Sequence, residues 1–134
     1  MAKIYTHQLE VRAYELDSFG HVNHANYLHY LETARWKMLG EENFTLETFK
    51  KWDRWPVIAN LDIQYLKPIF MNETITIETH LAGYKTSSMQ IEQVIKRGDA
   101  IIAQAKIRSV IVDGKGKPSA LPDELAERWR SQLL

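Results

Sequence analysis

The sequence predicts an α+β fold in which an antiparallel sheet wraps around one long helix. Two observations carry this. A single early segment repeats its apolar residues at helical spacing, and the later half is a succession of strand-like runs joined by connections too short for crossover helices. A helix with one apolar stripe must bury it, and a face of that sheet is the surface on offer. With 134 residues, 45% of them hydrophobic and 25% charged, the chain is long enough to enclose one core, so one domain over residues 1–134 is expected.

Residues Ile4 to Leu16 read as a half-buried edge strand, with Tyr5, Val11 and Tyr14 among polar neighbours. Turn-forming residues follow at Asp17 to Asn23. From about His24 to Leu39 the apolar positions Tyr27, Leu31, Ala34 and Met38 recur at helical spacing, and Gly40 stands where a glycine stop belongs. That is a helix of about sixteen residues, roughly 24 Å long. Thr45, followed by Leu46, Phe49 and Trp52, marks a short capped second helix that ends before Pro56.

Beyond Pro56 the period changes to two, with Val57, Ala59, Leu61, Ile63 and Tyr65 on one face up to Lys67-Pro68. Three further runs follow: Glu73 to Tyr84 (Ile75, Ile77, Leu81), Ser87 to Lys96 (Met89, Ile91, Ile95) and Ala100 to Val112 (Ile101, Ala103, Ala105, Ile107). Lys85-Thr86 and Arg97-Gly98-Asp99 are hairpin-length links, so the sheet is expected to be a meander. Asp113 to Pro118 ends it, and Pro122 to Leu133 reads as a short amphipathic terminal helix.

Seventeen Lys and Arg against seventeen Asp and Glu leave no net charge, so a general nucleic-acid partner is not expected. No apolar run reaches the length of a membrane span, so no integral membrane association is expected either. The absence of cysteine rules out disulfides, thiolate metal sites and a cysteine nucleophile. The N-terminal stretch lacks the apolar core of a signal peptide, which makes the cytoplasm the expected location.

Chemistry concentrates in "DSFGHVNHANY", residues 17–27. A metal site would draw on His21, His24 and His29, but they straddle a helix start and lack a partnering ligand cluster. A purely architectural account has Gly20 in a turn, Asn23 as the helix cap and Asp17 bonding loop amides. A catalytic account uses the same helix start: its first amides lack internal partners and point, with the positive end of the dipole, at whatever lies beyond. Such amides can polarise a carbonyl while Gly20 permits close approach and the Asp17 carboxylate attacks it or deprotonates a water. An aspartate near its ordinary pKa of ~3.9 is a weak base, so an activated ester such as a thioester suits it better than an amide.

The stretch "RAYELDSFGHVNHANYLHYLETAR" resembles the acyl-CoA thioesterases of the hotdog fold, in the 4-hydroxybenzoyl-CoA thioesterase-like family. Its "D..GHVN...Y" core is similar to plant acyl-carrier-protein thioesterases, and "IQYLKPIFMNE" and "VIVDGKGKPSALPDEL" extend the likeness over nearly the whole chain. The resemblance implies a central helix wrapped by a curved antiparallel sheet, and homodimers or dimers of dimers with active sites where subunits meet. It implies an acyl-CoA or acyl-carrier-protein substrate and no metal or redox cofactor. It places the catalytic carboxylate on Asp17 and the carbonyl-polarising backbone amide on His24, whose imidazole can also orient the carboxylate or the water.

Gly20, Asn26 and Tyr27 match the motif as substrate-side residues; Tyr27 also lies on the apolar stripe of the helix. Glu32 and Arg35, three apart, are expected to pair on the helix surface. A different hotdog branch carries its carboxylate within the helix, which makes Glu32 the competitor to Asp17. Lys67, Lys85, Lys96 and Arg97 are basic residues near strand ends, expected to be solvated surface charges. An enoyl-CoA hydratase or dehydratase and a non-catalytic acyl-CoA-binding protein are the alternatives from other functional classes.

Overall fold

A computed structural model describes residues 2–133; Met1 and Leu134 lie outside the described residues. Strand β1 (Tyr5–Glu10) leads through a 3-10 turn (Ala13–Glu15) into helix α1 (His24–Glu41) and the short helix α2 (Leu46–Trp52). Strands β2 (Trp55–Tyr65), β3 (Thr74–Tyr84), β4 (Ser88–Arg97) and β5 (Ala100–Val112) follow, and helix α3 (Asp123–Leu133) closes the chain. The five strands form one antiparallel sheet in the order β1-β3-β4-β5-β2.

The β3-β4-β5 hairpins are the expected meander, but β2 does not join β3. It crosses to the far edge and pairs with β5, from Trp55 opposite Val112 to Tyr65 opposite Ala103. The first strand is also shorter than its apolar pattern predicts. It stops at Glu10 because the chain turns at Ala13–Glu15 to bury Glu15, leaving Tyr14 out in solvent.

Helix α1 is 18 residues long, about 27 Å, and buries Tyr27, Tyr30, Leu31, Ala34, Met38 and Leu39. Gly40 is not its stop. The helix runs through Gly40, and Asn43 takes the left-handed conformation at φ 67°. The Phe44 N–H then reaches back to the Leu39 carbonyl and the Asn43 N–H to the Gly40 carbonyl. This Schellman closure joins two buried apolar residues, Leu39 and Phe44, across the helix end.

The inner face of the sheet meets α1 through Ile75, Ile77 and Leu81, Met89, Ile91 and Ile95, and Ala103, Ala105 and Ile107, the alternation expected of strands with one buried face. A register shift between Ile95 and Lys96 turns Ile102 into the core and leaves Ile101 exposed, the reverse of the expected parity. Another, between Ile58 and Asn60, breaks the single apolar face expected of β2 and leaves Val57, Ile58 and Tyr65 exposed. At one end of the core Trp129 of α3 is fully buried, with its indole N–H on the Met89 sulfur at 2.9 Å.

Candidate active site

The loop between the 3-10 turn and α1 is a tight antiparallel closure. Leu16 bridges Val22, the Asp17 N–H donates to the His21 carbonyl at 2.7 Å, and the Gly20 N–H donates to the Asp17 carbonyl at 3.1 Å. Gly20 sits at φ +80°, where an L side chain is strained, yet a Cβ there would meet nothing within 4 Å. The glycine serves the turn's backbone conformation rather than close packing within this chain.

Asp17 divides its carboxylate between two tasks. Oδ1 accepts the Phe19 N–H at 2.9 Å and the His21 N–H at 3.2 Å, which fixes the loop. Oδ2 receives no hydrogen bond from the described residues. One oxygen therefore anchors the carboxylate and the other is left without a partner among the described residues.

At the helix start Asn23 is the cap: its Oδ1 accepts the Ala25 N–H at 2.9 Å, and its backbone carbonyl accepts the Asn26 N–H at 2.8 Å. Asn23's own N–H donates to the Glu15 carbonyl at 2.9 Å. The His24 N–H is left without an acceptor among the described residues. It sits in the first turn of α1, where the helix dipole adds to its pull on negative charge. The His24 side chain is exposed, and its imidazole makes no hydrogen bond to Asp17 or to any other described residue.

Asn26 and Tyr27 brace this arrangement. The Asn26 amide nitrogen donates to the Glu15 carbonyl at 2.9 Å, and its oxygen lies 3.0 Å from His29 Nδ1. Tyr27 is buried, directs its hydroxyl at the Lys67 carbonyl at 3.3 Å and packs edge-on to Tyr65 with ring centres 4.9 Å apart. Burial, and next the neighbouring Tyr65, push the Tyr27 phenol up from its ordinary pKa.

Two residues matter here that motif reading passed over. Tyr65 donates its hydroxyl to the His24 carbonyl at 3.0 Å, tying the end of β2 to the first turn of α1. Glu15, only 4% exposed, accepts the Arg12 backbone N–H, the Arg12 guanidinium and the Tyr30 hydroxyl at 2.8 Å. Burial works against its charge, but these donors outweigh it and hold the carboxyl below the usual carboxylate range. The signal for Glu15 was an acid set between Tyr14 and Leu16 just before the turn-forming residues. For Tyr65 it was an aromatic at the end of its strand.

Of the other residues singled out, His21 shares the loop through its backbone and the rest lie elsewhere. His21 stacks edge-on to Phe70 at 5.0 Å, and among the described residues no three His, Asp or Glu side chains gather into a metal-sized set. Glu32 and Arg35 do not form the expected surface pair. Arg35 turns inward, 8% exposed, and donates to Gln93 Oε1 at 3.0 Å, because Gln93 is already fixed in the core by the Leu31 carbonyl and the Thr79 hydroxyl. Lys96 pairs with Glu78 and Arg97 with Glu73, each at 3.0 Å, while Lys67 and Lys85 are exposed. None of the described helices is long and apolar enough to cross a membrane.

Residues 11–129 match the thioesterase-like superfamily. The long-chain acyl-CoA thioesterase FadM of Escherichia coli (strain K12) is 35% identical over 94% of this chain and 97% of its own. The acyl-CoA thioesterase YbgC of Haemophilus influenzae is 33% identical over 86% and 88%. Among solved structures, a thioesterase of Thermus thermophilus in complex with coenzyme A and zinc superposes with a TM-score of 0.81 at 27% identity, covering 95% of this chain and 92% of that one. A protein of Aquifex aeolicus superposes with a TM-score of 0.87 at 25% identity, covering 92% and 97%.

Proposed function

The chain belongs to the thioesterase-like superfamily, and from that premise we infer that it is an acyl-CoA thioesterase whose reaction runs at the Asp17 loop. The overall reaction takes an acyl-CoA and water to a carboxylic acid and the free thiol of coenzyme A. The observation that carries the site assignment is the split role of Asp17, with Oδ1 spent on the loop amides and Oδ2 free, on the loop that leads into the unpartnered His24 N–H.

In this reading the thioester carbonyl oxygen takes the His24 N–H as its donor. Asp17 Oδ2 then either attacks the carbonyl carbon, expelling the thiolate to leave a mixed anhydride that water opens, or removes a proton from the attacking water. Negative charge on the carbonyl oxygen grows along either route, and the helix-start amide is strongest where that charge is largest. Gly20 and Asn26 hold the frame, and Tyr27 forms an apolar wall beneath it. The imidazole of His24 has no contact that argues for a proton-transfer role.

The active protein is a homodimer built on β2. Its outer edge has no strand partner among the described residues, and Val57, Ile58 and Tyr65 are 43%, 46% and 43% exposed. A second copy pairing edge to edge removes both the unpaired backbone and the apolar surface. Tyr65 lies on this strand, so dimerisation also bears on the helix start it bonds.

The test is thiol release across a panel of acyl-CoAs, with Asp17→Asn as the control. Hydrolysis that depends on Asp17 supports the reading. Water addition to an enoyl-CoA with its thioester intact, or binding without thiol release, would replace it with the hydratase or the binding-protein alternative.

A further inference from the structure

Beyond the Asp17 loop, a cavity of about 180 Å3 lies between α1 and the inner face of the sheet on the β2 side. It is lined by Arg35, Trp36, Ile58, Met89, Ile91 and Ser109, with the exposed Glu32 on its rim. Its walls are largely apolar, but two of the lining groups are polar and almost completely buried. Arg35 is 8% exposed and Ser109 2% exposed.

Their hydrogen-bonding capacity is largely unused. Of the five guanidinium N–H groups of Arg35, one meets Gln93 Oε1. No described carboxylate forms an ion pair with Arg35, and no described side chain bonds the Ser109 hydroxyl. No guanidinium nitrogen of Arg35 is among the described side-chain atoms that are both fully buried and without a partner, and Arg35 is one of the residues that line the cavity. A buried guanidinium balanced by one neutral acceptor is costly unless something else answers its charge. Burial pushes the Arg35 guanidinium down from its ordinary pKa, and the neighbouring Glu32 offsets this only in part.

We propose that this cavity receives the far end of the acyl group and that Arg35 selects acyl chains ending in a carboxylate over chains ending in a methyl. The proposal rests on the thioesterase reading and specifies its substrate. A carboxylate can take two parallel N–H bonds from the guanidinium fork, and the Ser109 hydroxyl supplies a third donor. Glu32 opposes the charge, but it is exposed, so water weakens its repulsion without abolishing it, whereas the contact with Arg35 is shielded.

Size and position agree. The volume is below the ~300 Å3 at which pockets hold whole drug-sized ligands, so it suits one end of a substrate. Arg35 lies eleven residues beyond His24 on α1, about 16 Å along the helix axis, which calls for an extended chain rather than a short acyl group.

The experiment is thiol release by the wild-type protein from pairs of acyl-CoAs matched in length, one ending in methyl and one in carboxylate, over a series of lengths. At the best length kcat/KM is expected to favour the carboxylate by about tenfold or more, in line with charge-assisted bidentate pairing. Arg35→Met should bring that ratio to one or below, and Glu32→Gln should raise it by removing the opposing charge. A ratio at or below one at every length overturns the proposal, and so does a ratio that Glu32→Gln leaves unmoved. If Arg35→Met does not fold, the wild-type ratio and the exposed Glu32→Gln variant decide the matter between them. Hydrolysis of methyl-ended chains that requires Asp17, without a carboxylate preference, would sink this inference and leave the thioesterase reading standing. No thiol from any acyl-CoA would sink that reading itself.

Discussion

Tyr65, at the end of β2, donates its hydroxyl to the carbonyl of His24 at 3.0 Å, so an edge strand of the sheet holds the first turn of the helix that follows the Asp17 loop. Tyr65→Phe keeps the ring stacked on Tyr27 and removes only this bond. A neutral hydrogen bond at a partly exposed position contributes about 0.5–1 kcal/mol, so the loss of thermal stability should be small. The expected larger effect is on kcat, with KM little changed. Steady-state kinetics beside a melting curve checks it, and an unchanged kcat would mean that Tyr65 does not position the site.

Gly20→Ala tests the loop's backbone. With φ at +80° and open space around the added Cβ, the expected cost is conformational strain of about 1–2 kcal/mol rather than a clash. The loop can escape that strain only by abandoning the Asp17 to His21 closure, so activity should fall further than stability. Denaturant unfolding and thiol release on the same sample compare the two.

Ile58→Glu tests the dimer. Ile58 is 46% exposed on the unpaired edge of β2, so a charge there costs the monomer little and places like charges together across a twofold. Light scattering should show a monomer of unchanged fold with reduced hydrolysis. A variant that stays dimeric would move the interface away from this edge.

Acid lability should come from Glu42 and Glu15. For Glu42, burial alone would raise the carboxyl pKa, but the hydroxyl of Tyr5, the Arg128 guanidinium and the Lys3 ammonium outweigh it and hold the value below normal. A group whose folded pKa is depressed binds fewer protons folded than unfolded. Its stabilisation is therefore complete above the unfolded value of ~4.3 and is lost as pH falls through the folded one. The melting temperature should decline below about pH 4, and Glu42→Gln should make that decline shallower at the cost of lower stability at neutral pH.

Much of this architecture was legible from spacing. The stripe of Tyr27, Leu31, Ala34 and Met38 is the buried face of α1, and the short links at Lys85-Thr86 and Gly98-Asp99 are the hairpins that set the β3-β4-β5 ladder. What escaped were features decided by tertiary contacts. Gly40 was the obvious stop, but closing the helix at Asn43 lets Leu39 and Phe44 meet in the core. Arg35 and Glu32 had surface spacing, but Gln93, far away in sequence, offers Arg35 an acceptor inside. The register shifts at Ile58 and Ile95 move apolar residues across the sheet with no glycine or proline at the shifted positions themselves.

In the site, Asp17, Gly20 and the Asn23 cap stand out locally because each acts within a few residues of itself. Tyr65 does not, and Glu15 does so only in its bond to Arg12, because the contacts with His24 and Tyr30 are made to a helix they reach only after folding.

In the proposed reaction the free oxygen of Asp17 does the chemistry while its other oxygen holds the loop. Asp17→Asn is the direct measurement, since the amide oxygen can still accept the Phe19 and His21 N–H groups and keep the fold intact. kcat/KM for thiol release on the best acyl-CoA is expected to fall by about 10²–10⁴-fold with the melting temperature nearly unchanged. A folded Asp17→Asn protein that hydrolyses the same substrate at close to the wild-type rate would leave Asp17 with no part in the reaction.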